Sequence, residues 1–196
     1  MELQLDRNKR YTYADYLTWT DNKMRELLDG FIKIMSQAPT LTHARLTRKI
    51  SYPMIRHIDK RKGKCEVFVA PFDVRLPKSK DVMDNDKIDT VVQPDICIVC
   101  DPAKLDKRGC LGTPDMIVEI LSPATLKYDL NEKFNLYEAA GVKEYWVVSP
   151  AMGVNVFLLQ ENGKYGEGVA YEDPDDQIPV HTLDGLNISW KELFAE

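Results

Sequence analysis

The chain has 196 residues, 44% of them apolar and 29% charged, which suits one soluble globular domain with room for a buried core. No stretch approaches the roughly 18 consecutive apolar residues that a membrane-spanning helix needs, and the Met-Glu-Leu-Gln-Leu-Asp start lacks the basic and apolar runs of a secretory leader, so a cytoplasmic protein is expected. A net charge of −5 argues against a protein that coats nucleic acid by bulk electrostatics, yet leaves room for one local basic surface.

No repeat, low-complexity block or Pro/Gly/Ser-rich linker divides residues 1–196. The segment from Tyr11 to Leu28 reads as a helix from about Tyr13, with Thr12 as N-cap and a second start signal at Thr20-Asp21. Asp29-Gly30 marks a tight turn, and the alternation from Phe31 to Met35 predicts a strand, so a helix feeds an antiparallel hairpin. From about Thr40 to Lys60, Leu46, Ile50, Met54 and Ile58 recur every four residues and predict a helix, kinked or broken at Pro53.

Cys65 to Ala70 and Phe72 to Leu76 read as one strand bent at Pro71, followed by a polar surface loop from Lys78 to Asp89. Strands follow at Val91 to Cys100, Met116 to Leu121, Glu144 to Ser149 and Asn155 to Gln160. A helix from about Lys127 to Ala140 buries Leu130, Phe134 and Tyr137 and stops at Gly141. The tail alternates turns with short strands and ends in a brief helix, Ser189 to Phe194. This order predicts an α/β or α+β fold, with Met116–Leu121 and Glu144–Ser149 pairing in parallel across the intervening helix.

Basic residues cluster at Arg45, Arg48, Lys49, Arg56, Lys60, Arg61, Lys62 and Lys64, while the last 40 or so residues are acidic. A solvated helix face and a phosphate-contacting surface both account for the cluster. Cys97 and Cys100 form a CxxC, but within a strand residues three apart point to opposite faces, so zinc is a weak reading. Reduced cysteines packed in a core are expected at 65, 97, 100 and 110. No phosphate-binding or dinucleotide glycine loop and no GxSxG elbow is present. His57 and His181 read as surface residues, and Trp146 as strand packing.

Chemistry points to charges set inside apolar strands. Glu119 lies in Met-Ile-Val-Glu-Ile-Leu, and Asp95 heads Asp-Ile-Cys-Ile-Val after Pro94. A buried carboxylate needs a partner, and two from neighbouring strands can share one hard cation through oxygen ligands. A turn residue at Asp95 and a water-facing edge glutamate at Glu119 are the alternatives. Lys133 stands beside the buried stripe of its helix, where its stem can carry the ammonium to the strand end. Its alternative is an exposed i, i+4 pair with Asp129.

Gln93-Pro-Asp-Ile-Cys-Ile-Val, Val118-Glu-Ile-Leu-Ser-Pro, Lys133 with Tyr137, and Ala140-Gly-Val-Lys-Glu-Tyr-Trp-Val-Val together resemble the Uma family of bacterial restriction endonucleases. Glu26-Leu-Leu-Asp-Gly, Pro39, His43 and Phe72-Asp-Val-Arg-Leu match the same pattern, so the resemblance runs from about Tyr11 to the C-terminus. It implies a PD-(D/E)xK nuclease-like domain with a mixed central sheet flanked by helices. It also implies Asp95 and Glu119 as the two motif acids and Glu26 as an acid on the first helix brought to the metal. The usual lysine position, two after the second acid, is Leu121, and Lys133 on the next helix takes that role.

The chemistry implied is Mg²⁺ (with Mn²⁺ as substitute) held by Asp95, Glu119 and the Ile120 carbonyl, with Lys133 orienting water or stabilising the transition state. His43 contacts phosphate, orients Glu26 or is structural. DNA is the expected substrate, and a homodimer would supply the two sites that cutting a duplex requires. A nuclease-fold protein that binds nucleic acid or a protein partner without cutting, and a hydrolase of other phosphate esters, are the rival readings.

Overall fold

The computed structural model of the chain describes residues 4–21, 23–34, 39–79, 84–122 and 128–195, without the side chains of residues 34 and 128–130. It begins with one helical turn, α1 (Tyr13–Tyr16), closed by a capping box between Thr12 and Asp15. The predicted helix ends there. Arg25–Leu28 is strand β1, paired antiparallel with β2 (Phe31–Ile34). Asp29 (φ 47) and Gly30 (φ 83) form a two-residue turn with both residues left-handed, which requires extended chain on either side.

Helix α2 (Leu41–Arg61) starts at Thr40, whose hydroxyl accepts the His43 N–H, and ends at Lys62 in the left-handed conformation. It runs through Pro53 as one helix, correcting the expected break. The missing N–H at Pro53 costs a hydrogen bond, but Leu46, Ile50, Met54 and Ile58 bury one face across it and hold the helix together. The expected bent strand is instead two, β3 (Glu66–Val69) and β4 (Val74–Arg75), separated by the cis Ala70–Pro71 peptide and paired in different sheets. The predicted strand from Val91 is likewise divided into β5 (Val91–Val92) and β6 (Ile96–Val99), because Pro94 has no N–H for a ladder.

Next come β7 (Leu105–Asp106) and β8 (Gly109–Leu111), too short to leave a period in the sequence, and β9 (Met116–Ile120). A π-type turn, Tyr128–Lys133, leads into α3 (Phe134–Ala140), stopped by Gly141 at φ 82 as expected. The chain finishes with β10 (Glu144–Ser149), β11 (Gly153–Leu158), β12 (Val169–Tyr171), β13 (Gln177–Pro179), β14 (Asn187–Ser189) and α4 (Trp190–Phe194). Met35, loop residues 80–83 and Lys127 of the predicted elements lie outside the described residues. Among those described, no helix is long and apolar enough to cross a membrane.

These elements form an α+β structure of two compact units, each assembled from three pieces of chain. One comprises Met1–Ala38, Phe72–Gln93 and Ala103–Thr113, and its sheet has the order β2-β1-β5-β4-β8-β7. Leu27, Ile88 and Val91 form its small core with Tyr11 and Tyr13. The other comprises Pro39–Pro71, Pro94–Pro102 and Pro114–Glu196, with sheet order β12-β11-β10-β9-β6-β3. There β9 and β10 are parallel, as predicted, and the remaining pairs antiparallel.

In this second unit the alternation of the strands divides the work between two faces. Ile96, Ile98, Met116, Val118, Ile120, Trp146 and Val148 pack with the apolar stripe of α2. Tyr145 and Phe157 point the other way, where Tyr137 and Phe134 of α3 meet them with ring centroids 5.0–6.3 Å apart. Gly153 opens β11 at φ +112, and a Cβ there would stand 2.2 Å from the Tyr171 carbonyl oxygen. Gly153→Ala is therefore expected to cost about 3 kcal/mol, lowering the melting midpoint by roughly 6–12 °C; an unchanged midpoint in thermal unfolding would refute the clash.

The cysteine expectation is corrected at one pair. Cys65 and Cys100 are joined by a disulfide across 35 residues of sequence, while Cys97 and Cys110 are buried thiols. The antiparallel register Glu66↔Val99, carried one residue further, sets Cys65 opposite Cys100. That pairing also removes Cys100 from a zinc-binding CxxC.

Candidate active site

Asp95 stands at the head of β6, directly after Pro94. The register Ile96↔Val118 of β6 with β9, extended by one residue, places it opposite Glu119. Its backbone oxygen accepts the Ala70 N–H at 3.1 Å, and its side-chain Oδ2 accepts the Ile120 N–H at 2.7 Å. His43 Nε2 lies 3.1 Å from the same Oδ2. The histidine belongs to the first turn of α2, which brings its ring to Asp95. Both side chains keep some exposure, 16% for Asp95 and 20% for His43, so solvent reaches the carboxylate.

Glu119 has a different environment. It is 3% exposed in a strand whose five residues are all buried. Lys133 Nζ donates to its Oε1 at 2.8 Å and Tyr137 Oη donates to the same oxygen at 2.6 Å. Lys133 is itself 2% exposed, so the water-facing alternatives for both residues are set aside. The side chain of Asp129, the alternative partner of Lys133, lies outside those described. Lys133 and Tyr137 are four residues apart and therefore share one helix face. The β9–α3–β10 crossover lays that face on the sheet, with the Tyr137 ring packed edge-on against Tyr145 at 5.2 Å.

Two buried ions cost several kcal/mol each in lost hydration, which their attraction offsets only with good geometry and further hydrogen bonds. The Tyr137 hydroxyl supplies one such bond. Its part as a donor to Glu119 was not read from the sequence, where Tyr137 looks like one more member of the apolar stripe. The four-residue spacing from Lys133 was the available signal.

Glu26 lies in the other unit, on β1 and not on a first helix, because the hairpin takes Arg25–Leu28 into the sheet. Its carboxylate is fully buried and accepts the Gln93 N–H at 2.7 Å. Gln93 in turn donates from Nε2 to Asp73 at 2.8 Å, and Tyr13 Oη donates to Asp73 at 3.0 Å. Burial, then the charge of Asp73, pushes the Tyr13 phenol above its ordinary pKa, which keeps it a hydrogen-bond donor. Among the described residues, no three His, Cys, Asp or Glu side chains form a metal-holding group. The oxygen donors of Asp95, Glu119 and the Ile120 backbone still fit a hard divalent cation by chemistry, since such ions take carboxylate, carbonyl and water oxygens. Leu121, at the usual lysine position, carries no charge, and its N–H donates to the Val148 carbonyl.

Three comparisons bear on this arrangement. A family model described as "Uma2: Putative restriction endonuclease" matches residues 13–191. An uncharacterized protein of Synechocystis sp., slr1290, is 24% identical over 150 residues, 76% of this chain and 73% of its own length. A crystal structure from Anabaena variabilis, described as a putative nuclease belonging to DUF820, superposes with a TM-score of 0.73 at 19% identity, covering 94% of this chain and 97% of that one.

Proposed function

The chain belongs to the Uma2 family and has a nuclease-like fold, and from that premise we propose that it is a magnesium-dependent endonuclease hydrolysing phosphodiester bonds of DNA. The buried Lys133–Glu119 pair, one residue from the backbone N–H that holds Asp95, is the observation that carries this reading. Asp95, Glu119 and the Ile120 carbonyl would hold the Mg²⁺. When bound, that ion supplies a Lewis acid for a phosphoryl oxygen and lowers the pKa of water.

The chain's own residues do the rest. The Ile120 N–H and His43 fix the Asp95 carboxylate in one orientation, which makes His43 a positioning residue. Lys133 carries a positive charge in a nearly water-free setting, where a charge aimed at a developing anion is worth more than in solvent. Tyr137 Oη holds Glu119 so that its carboxylate does not swing with the lysine.

The test is cleavage of supercoiled plasmid and labelled DNA and RNA oligonucleotides, with Mg²⁺, with Mn²⁺ and with EDTA. Nicked and linear plasmid is expected with either metal and none with EDTA. Asp95→Asn keeps an oxygen for the Ile120 N–H but loses the charge, so it should lower the rate by roughly 10²–10³-fold with little change in melting midpoint. Intact substrates with both metals would end the hydrolytic reading and leave a nuclease-fold protein that binds without cutting.

A further inference from the structure

Helix α2 carries six Lys and Arg against one Asp, a net +5, so the rest of the chain carries −10 to reach the total of −5. On a helix surface such charges are ordinarily laced with carboxylates. Here, among the described residues, Arg45, Arg48, Arg56 and Lys60 have no carboxylate within 4.0 Å. Tyr52 lies among them with 61% of its surface exposed, beside exposed Ile55. A groove of about 450 Å³ runs between Arg48, Tyr52, Arg56, Lys60 and Leu186, with Glu192 the one acid lining it.

We infer that this face of α2 binds a single strand of nucleic acid, its phosphates on Arg48, Arg56 and Lys60 and a base stacked on Tyr52. The unpaired cations select a polyanion, and an exposed aromatic ring between them suits an unpaired base, whose π-face stays open only in a single strand. Placement supports the same occupant. His43 of the first turn touches Asp95, so α2 begins at the candidate site, and the basic stripe from Arg45 to Lys60 extends from there over about 22 Å. The inference deepens the nuclease proposal by naming the surface and the form of the substrate.

The experiment measures fluorescence anisotropy of a labelled oligothymidine strand, and of a duplex of equal length, with full-length protein in EDTA. Turnover of a chromogenic phosphodiester with Mn²⁺ is followed in parallel. The triple variant Arg48→Glu/Arg56→Glu/Lys60→Glu is expected to lose at least tenfold in single-strand affinity. Its log–log salt slope should shrink by about two, at roughly 0.7 per lost phosphate contact. Tyr52→Ala, which leaves the charges in place, should lose roughly tenfold on the single strand and much less on the duplex. Both variants should melt as cooperatively as the parent and turn over the small diester at its rate.

Parental affinity and slope in both variants would overturn the inference, as would a duplex bound as tightly as the strand. Sedimentation showing a dimer that the triple variant dissociates would overturn it too, by assigning the face to a second copy. Strand binding that responds to these variants, without cleavage of any phosphodiester, would uphold the surface while removing the nuclease reading.

Discussion

Lys133→Met is expected to reduce DNA cleavage by roughly 10³-fold and to destabilise the protein by about 3–5 kcal/mol. The reason lies in what is left behind. Glu119 is 3% exposed, and without the Lys133 ammonium its carboxylate keeps the Tyr137 hydrogen bond but loses the cation 2.8 Å away. A buried charge stripped of its counter-ion bears its desolvation cost alone, whereas a pair removed together does not. The double variant Glu119→Gln/Lys133→Met should therefore melt close to the parent, because the glutamine carbonyl still accepts from Tyr137 and no net charge is buried. Its cleavage should stay at background. Stability measured by urea unfolding and rate measured on plasmid then separate two roles for one contact. Recovery of the melt assigns the lost stability to the stranded carboxylate, and a rate lost by the folded fraction of the Lys133→Met single variant supports a catalytic lysine; a single variant that cuts at the parental rate reduces the pair to a structural one.

Much of the second unit was legible because its elements bury whole faces. The four-residue spacing of Leu46, Ile50, Met54 and Ile58 gave α2, and mainly apolar runs gave β9 and β10, with Gly141 stopping the helix between them. Glu119 was readable for the same reason, as a charge where the pattern demands none. What failed, outside the β9–β10 pair, was pairing. Periodicity reports that a strand has a buried side, not which sheet it joins, so Cys65–Ala70 with Phe72–Leu76 and the run from Val91 to Cys100 looked continuous although each is shared between two sheets. Pro94 makes the break that sets Asp95 at the head of β6, a place the sequence reading gave Asp95 without dividing the strand there. Register is equally silent in one sequence, which hid both the Cys65–Cys100 bond and the contact of His43 with Asp95.

Glu144 shows that a buried carboxylate in this sheet need not belong to a reaction centre, and Glu144→Ala is expected to be the most damaging change outside the candidate site. The residue opens β10 at 1% exposure. Oε1 accepts Trp146 Nε1 at 2.8 Å and the His181 N–H at 3.0 Å; Oε2 accepts the Thr182 N–H at 2.6 Å and the Thr182 hydroxyl at 2.7 Å. Four hydrogen bonds thus satisfy one carboxylate and fasten the 181–182 turn to the sheet. Alanine would leave the buried indole N–H and two part-buried backbone N–H groups without their acceptor, at up to about 1–3 kcal/mol each. Some relaxation of the turn returns part of that, leaving roughly 4 kcal/mol and a midpoint lowered by about 8–16 °C. Glu144→Gln replaces one accepting oxygen by an NH₂ that faces donors, so it should lose about half as much. Cleavage by the folded fraction at low temperature should match the parent, since the chemistry does not pass through this residue. Loss of cutting at a temperature where circular dichroism shows the fold intact would instead place Glu144 in the reaction, and an unshifted midpoint would mean that water replaces the carboxylate without cost.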